Sequence, residues 1–131
     1  MGILTMTPIG FYDWNRIEDV RAVHRLVRRA PYQHDLLNDR TPKLDGDCQR
    51  KSAWARDVLL IMGWPVDSME IWDCKIENGH TAHEVLVLNV RGFNGQHLEV
   101  ALDCRRDTPV LKDELPYSNW FMVTAPAPPG S

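Results

Sequence analysis

Three residues in this chain have types and surroundings suited to acyl-transfer chemistry. They are Cys48 in Gly46-Asp47-Cys48, His83 at the head of His83-Glu-Val-Leu-Val-Leu-Asn-Val90, and Asp103 at the end of Gln96-His-Leu-Glu-Val-Ala-Leu-Asp103. Asp47 is a favoured helix N-cap, which sets Cys48 at the first helical position. Unpaired backbone N–H groups and the positive end of the helix dipole meet there; they favour a thiolate and can donate to an oxyanion when a carbonyl is attacked. Gly46 lets the chain turn sharply into that helix. Free cysteine is also a common small buried hydrophobe, so the tripeptide alone leaves both readings open.

His83 narrows the choice. A strand end facing a helix N-terminus brings a base beside a nucleophile on two rigid elements. A solvated histidine at a strand edge is the bland alternative, and His80, in the loop Asn78-Gly-His-Thr81, is a rival base; His83 is preferred because it adjoins the strand. Asn94-Gly95 is hairpin chemistry joining the His83 strand to the strand that ends at Asp103. Antiparallel pairing then lays the start of one strand beside the end of the other, with Asp103 next to His83. A carboxylate there would hold the imidazole in one tautomer and stabilise its charged form. A metal centre is the competing chemistry, from Cys48, Cys74, Cys104, His80 and His83. The cysteines, however, are 26 and 30 residues apart and form no close pair, whereas structural zinc sites use close pairs, so no metal is expected.

The elements that must position these groups follow from periodicity. Residues 14 to 30 read as an amphipathic helix with Ile17, Val20, Val23, Leu26, Val27 and Ala30 on one face, stopped by Pro31. Arg25, Arg28 and Arg29 fall on its solvated side. The stretch from Tyr32 to Gly46 is polar and loop-like. A second, largely buried helix runs from Cys48 to Met62 and is ended by Gly63 and Pro65. Strands are expected over 69–76, 83–90, 96–102 and about 120–124. The order is two helices followed by an antiparallel meander, an α+β domain. Its tryptophans are assigned to the core and the rim of the cleft.

With 131 residues, 44% hydrophobic and 25% charged, the chain has room for one domain, residues 1–124, and a Pro-rich disordered tail, 125–131. The net charge of −3 offers no basic excess for a phosphate backbone, so no nucleic-acid partner is expected. Three cysteines without a C-x-x-C pair suit free thiols in a reducing compartment. The start lacks the pattern of a secretory signal, and the longest apolar run, Val58–Met62, is far too short to span a bilayer. A cytoplasmic protein with no membrane partner is expected.

The ordered motifs resemble those of the bacterial transglutaminase-like cysteine peptidases, within the papain-like and transglutaminase-like superfamily. That pattern is Gly-Asp-Cys opening a helix, a His directly before an apolar strand, and Leu-Asp ending the next strand. Here these are Gly46-Asp47-Cys48, His83 to Val87, and Leu102-Asp103, separated by 35 and 20 residues. Tyr32-Gln-His-Asp35 and Pro42 resemble the family's lead-in, and Tyr117 and Trp120 its closing aromatic segment, so the resemblance covers residues 11 to 123. It implies a minimal papain-like or transglutaminase-like fold, with the helix bearing the Cys packed on an antiparallel sheet.

Two departures shape the expectation. The family continues Asp-Cys-Glu-Asp, and those acids bind calcium; here Gln49 and Arg50 stand beside Cys48, so no calcium site is expected. The tryptophan before the loop's proline is missing from Asn38-Asp-Arg-Thr-Pro42. Family members are exported and some trim surface adhesins, whereas this chain reads as a compact intracellular or phage-borne offshoot. The resemblance and the residues together point to a thiol hydrolase, a cysteine peptidase or amidase without cofactor, acting on an amide bond of a protein or peptide. Cys48 attacks, His83 moves the proton, Asp103 orients His83, and the Cys48 backbone N–H is one oxyanion donor, the second being unassigned. Transamidation and deamidation stay open. The alternative is a binding module of the same fold, phage-encoded, that docks on a host protein without useful turnover.

Overall fold

The computed structural model describes residues 12–13, 16–34, 39–76, 79, 81–92 and 94–124. His80, Trp14 and the expected tail at 125–131 lie outside them. Two helices pack on one sheet. Helix α1 spans Ile17–Arg29, with Glu18 and Asp19 in its first turn and Arg28 and Arg29 in its last, as the dipole favours. It buries Ile17, Val20, Val23, His24 and Val27, the three- and four-residue spacing that makes one apolar stripe. Leu26 and Ala30, expected on that face, are exposed and half-buried.

Helix α2 spans Cys48–Ile61. It ends where Gly63, at φ 102°, lets the Gly63 and Trp64 amides fold back onto the Leu60 and Leu59 carbonyls. Its buried stripe is Cys48, Lys51, Ser52, Ala55 and Leu59, so the expectation of a largely buried helix holds for one face only. Ile61 is 85% exposed because it lies off that stripe. Lys51, whose residue type suggests solvent, is 2% exposed. Its ammonium donates to the carbonyls of Leu44 (2.8 Å), Val27 (3.2 Å) and Ala30 (3.2 Å), which satisfies all three N–H groups.

The strands are β1 (Tyr12–Asp13), β2 (Met69–Ile76), β3 (Thr81–Arg91), β4 (His97–Leu102), β5 (Val110–Leu111) and β6 (Ser118–Thr124). The sheet order is β5-β4-β3-β2-β6, antiparallel throughout, while β1 pairs in parallel with β3 at Val90 and Arg91. Two features differ from the meander expected from the sequence. β6 returns to the far edge beside β2, and β1 and β5, two residues each, are too short to carry a periodicity of their own.

β3 is central and buried from His83 to Val90, with cover on both faces. Leu86, Leu88 and Val90 belong to the core under the helices, while Val85 and Val87 pack with Cys74, Ala101 and Leu115 on the opposite side. The β3–β4 hairpin turns at Gly95, whose φ of 80° suits a residue without a Cβ, and the Gly92 amide donates to the Gln96 carbonyl at 2.9 Å.

Candidate active site

Cys48 is the first residue of α2 and 8% exposed. Asp47 caps the helix, its carboxylate accepting the Arg50 amide at 3.1 Å. Gly46 lies in a bend where its amide closes a turn onto the Lys43 carbonyl at 3.3 Å, the turn expected, and it has a second role. A Cβ there would meet the Arg50 Cβ at 2.7 Å, so glycine is required for close approach to the helix. The loop before it is fastened by side chains, Arg50 Nε donating to the Thr41 carbonyl at 2.9 Å and Lys51 to that of Leu44. Tyr32 reaches the same place from the other direction. The Gln33 amide bonds the Gly46 carbonyl at 3.3 Å, which brings Tyr32 near Cys48, whose side chain and backbone both act on its hydroxyl.

His83 is the third residue of β3, two positions further in than the expected strand start. The β3–β4 ladder closes at Leu86 and Leu102. Continued by one residue, it sets Asp103 opposite Val85, diagonal to His83 on the same face, which is within reach of an imidazole. His83 Nε2 and Asp103 Oδ1 are 2.7 Å apart, and the carboxylate also accepts the Arg105 amide on Oδ1 (2.9 Å) and the Tyr117 hydroxyl on Oδ2 (2.5 Å). With Nε2 committed to Asp103, Nδ1 is the ring nitrogen left for Cys48, whose nearby sulfur favours the charged form of the ring. His83 and Asp103 therefore come together, almost fully buried at 5% and 0% exposure, and the thiol whose sulfur lies within 4.8 Å of both is that of Cys104.

The electrostatics follow from this packing. Burial works against charge on His83, but the hydrogen bond and charge of Asp103, with Cys48, raise its pKa to about 9. Burial pushes Asp103 up, and the opposing donors His83, Tyr117 and Arg105 bring it below its ordinary value. Tyr117 is raised to about 12 by burial and by Asp103, so it keeps the proton it donates. Two further side chains support the pair, Tyr117 from the closing aromatic segment and His24 from the first helix. Tyr117 stands edge-on to His83 with centroids 5.6 Å apart, and His24, on the buried face of α1, donates from Nε2 to the Asp103 carbonyl at 3.0 Å.

The other thiols differ in kind. Burial, with nearby negative charge, lifts Cys74 and Cys104 to about 12. Cys104 lies close to His83 and Asp103, their ligand atoms all within 4.8 Å of one another. Asp103 and His83 are spent on each other, on Tyr117 and on Arg105.

Behind Gln49 lies a cavity of about 280 Å³ lined by Arg40, Arg56, Asp57 and Glu84. Glu84 is buried, and burial together with its neighbour Asp73 raises it to about 8, against the lowering effect of Arg40. Arg40 Nη1 is 3.1 Å from Glu84 Oε1, an ion-pair contact off hydrogen-bond alignment, and Nη2 is 3.8 Å from Asp73.

No protein-family model matches the sequence, and no curated relative matches it significantly. Solved structures do match. Calcium-bound LapG of Legionella pneumophila superposes with a TM-score of 0.62 at 18% identity over 81% of this chain and 62% of that one. A second LapG structure gives 0.62 at 18% over 77% and 60%, and the EGTA-treated form 0.61 at 16% over 84% and 68%. The chain thus spans about three fifths of the length of the first two LapG chains. Calcium asks for six to eight oxygens. The residues following Cys48 are Gln49 and Arg50, and the guanidinium of Arg40 already faces the nearby carboxylates, so this donor set does not fit a calcium ion. Two helices on an antiparallel sheet, with a cysteine opening the second helix, give this chain the transglutaminase-like fold of Legionella LapG.

Proposed function

We propose that the protein is a thiol hydrolase, a cysteine peptidase or amidase that breaks an amide bond in a protein or peptide. The observation that carries the reading is one continuous set of contacts. It runs from the Tyr117 hydroxyl through the Asp103 carboxylate to the His83 ring, and Cys48, at a helix N-terminus, is among the groups that favour charge on that ring. His83, with its pKa raised to about 9, carries a proton at neutral pH beside the thiol sulfur, the arrangement of a thiolate–imidazolium pair. The Cys48 sulfur bonds to the amide carbon as the carbonyl π pair moves to oxygen, where the Cys48 N–H receives it. When the C–N bond breaks, the imidazolium gives its proton to the leaving amine. His83, now neutral, takes a proton from water, and the hydroxide equivalent releases the acid and restores the thiol. Asp103 stays ionised throughout and fixes the ring.

Water as the second acceptor makes a peptidase or deamidase, and an amine makes a transglutaminase. Incubation with a pool of unmodified peptides and a primary amine, read by mass spectrometry, separates these outcomes: fragments, deamidated glutamine or an amine adduct. Products are expected from the wild type and none from Cys48→Ala. If no product forms and Cys48 alkylates no faster in the folded than in the denatured protein, the reading fails in favour of a binding module.

A further inference from the structure

The mechanism above uses one oxyanion donor, and a hydrolase of this kind gains from two. We infer that Tyr32 is the second: its phenolic O–H joins the Cys48 backbone N–H in holding the oxyanion that forms when Cys48 attacks a carbonyl. This rests on the thiol-hydrolase reading.

Three observations place it there. The Tyr32 hydroxyl feels the two groups that must lie beside that oxygen, the side chain and the backbone of Cys48. Its backbone is held at the helix entrance by the bond from the Gln33 amide to the Gly46 carbonyl, 3.3 Å, so the approach is built into the loop pairing. Tyr32 also lines, with His83 and Cys104, an open cavity of about 300 Å³ large enough to admit a peptide side chain. The residue is 54% exposed, which leaves its ring room to slide by the width of one oxygen as a carbonyl enters.

The phenol has the right chemistry. Burial of its hydroxyl and the neighbouring Cys48 hold its pKa at about 12, so the proton stays on as a donor across the working range. In the step itself the sulfur–carbon bond forms, the carbonyl π pair becomes the oxyanion, and the Tyr32 proton is shared with it and kept. On collapse the C–N bond breaks and the amine leaves with the proton from His83. Tyr32 is neither acid nor base in the balance.

The test compares two reactions of the same sulfur in Tyr32→Phe. p-Nitrophenyl acetate acylates Cys48 through a tetrahedral oxyanion and reports by its nitrophenolate burst. Iodoacetamide alkylates it by displacement of iodide, with no oxyanion. Loss of one donor is expected to slow the acylation burst by about 10²–10³-fold, while the alkylation rate stays within about twofold and the thermal midpoint is unchanged. Equal loss in both reactions would make Tyr32 a support for the thiolate, and a gain in both would make it a plug over the sulfur; either overturns the inference, as does an unchanged burst. A wild type with no burst dependent on Cys48 sinks the hydrolase reading itself, and the inference with it.

Discussion

Replacing Asp103 by Asn isolates the charge that holds His83. The side chain keeps its shape, and its oxygen can still accept from His83 and the Arg105 amide. The new NH2 faces the Tyr117 hydroxyl, which can turn and accept. The fold therefore survives and the charge does not. His83 sits at about 9 against an ordinary 6.5, a difference of roughly 3 kcal/mol between its two protonation states. Burial opposes that difference, and Asp103 is first among the groups that outweigh it. With the carboxylate gone the midpoint should fall to about 7 or lower. An NMR titration of the imidazole Cε1–H, assigned by comparison with His83→Ala, measures this directly, and turnover at pH 7.5 should drop about 10²–10⁴-fold. The stability change has a definite sign. A raised histidine contributes fully below its unfolded value of 6.5 and loses that contribution as pH climbs through 9. The variant should thus be most destabilised relative to wild type near pH 6 and progressively less so as pH climbs from 6.5 to 9. A His83 midpoint that stays near 9 in Asp103→Asn would refute the claim that this carboxylate sets the charge of the base.

Brief iodoacetamide treatment of the folded protein near pH 6 should modify Cys48 first, because Cys74 and Cys104 are held near 12; peptide mapping checks the order, and His83→Ala should slow only the Cys48 reaction. Glu84 is raised to about 8 from 4.5, so its burial costs stability as pH rises from 4.5 through 8. Glu84→Gln should then raise the thermal midpoint by a few degrees at pH 8.5, by calorimetry, and leave it nearly unchanged at pH 4.5. Adding calcium or EGTA should move the melting temperature by less than about 1 °C, since neither Gln49 nor Arg50 supplies the carboxylate that an oxygen-seeking divalent ion needs; a shift of several degrees would contradict the donor argument. Tyr117→Phe removes one bond to the ionised Asp103 and should cost about 1.5–3 kcal/mol by urea denaturation.

What the sequence made legible was local or carried by a period. Residues 69–76 alternate and form β2 over those residues. Asn94-Gly95 marks the β3–β4 turn, and that turn fixes the register that carries Asp103 to within a diagonal step of His83. Cys48 is legible because an N-cap and a helix stop bracket it within 18 residues of chain. The supports around them are contacts between distant segments, which leave no periodic trace. His24 meets the Asp103 carbonyl across 79 residues. Arg40 meets Glu84 across 44, and in the sequence it is one more charged residue in a polar loop. β6 is readable as a strand from its composition, but its partner is chosen by which sheet edge is free, and β5 had already taken the edge beside β4.

Lys51 ties this argument to the site. In the sequence it lies on a helix rich in apolar residues, where a long cation is expected to reach for water. Instead its ammonium gathers three carbonyls from two segments, Val27 and Ala30 at the end of α1 and Leu44 in the loop before Cys48. Those carbonyls are the ones that helix termini and irregular loops leave without partners. An apolar residue of the same length would fill the space and leave all three unpaired, at about 1–3 kcal/mol each. The cation thereby locks the helix that carries the sulfur to the helix whose His24 braces the Asp103 backbone. The distance from sulfur to imidazole is set by two elements joined through a buried amine, while the imidazole itself is set by the sheet. This is why the base and its carboxylate are legible as a strand pair and the placement of the nucleophile is not.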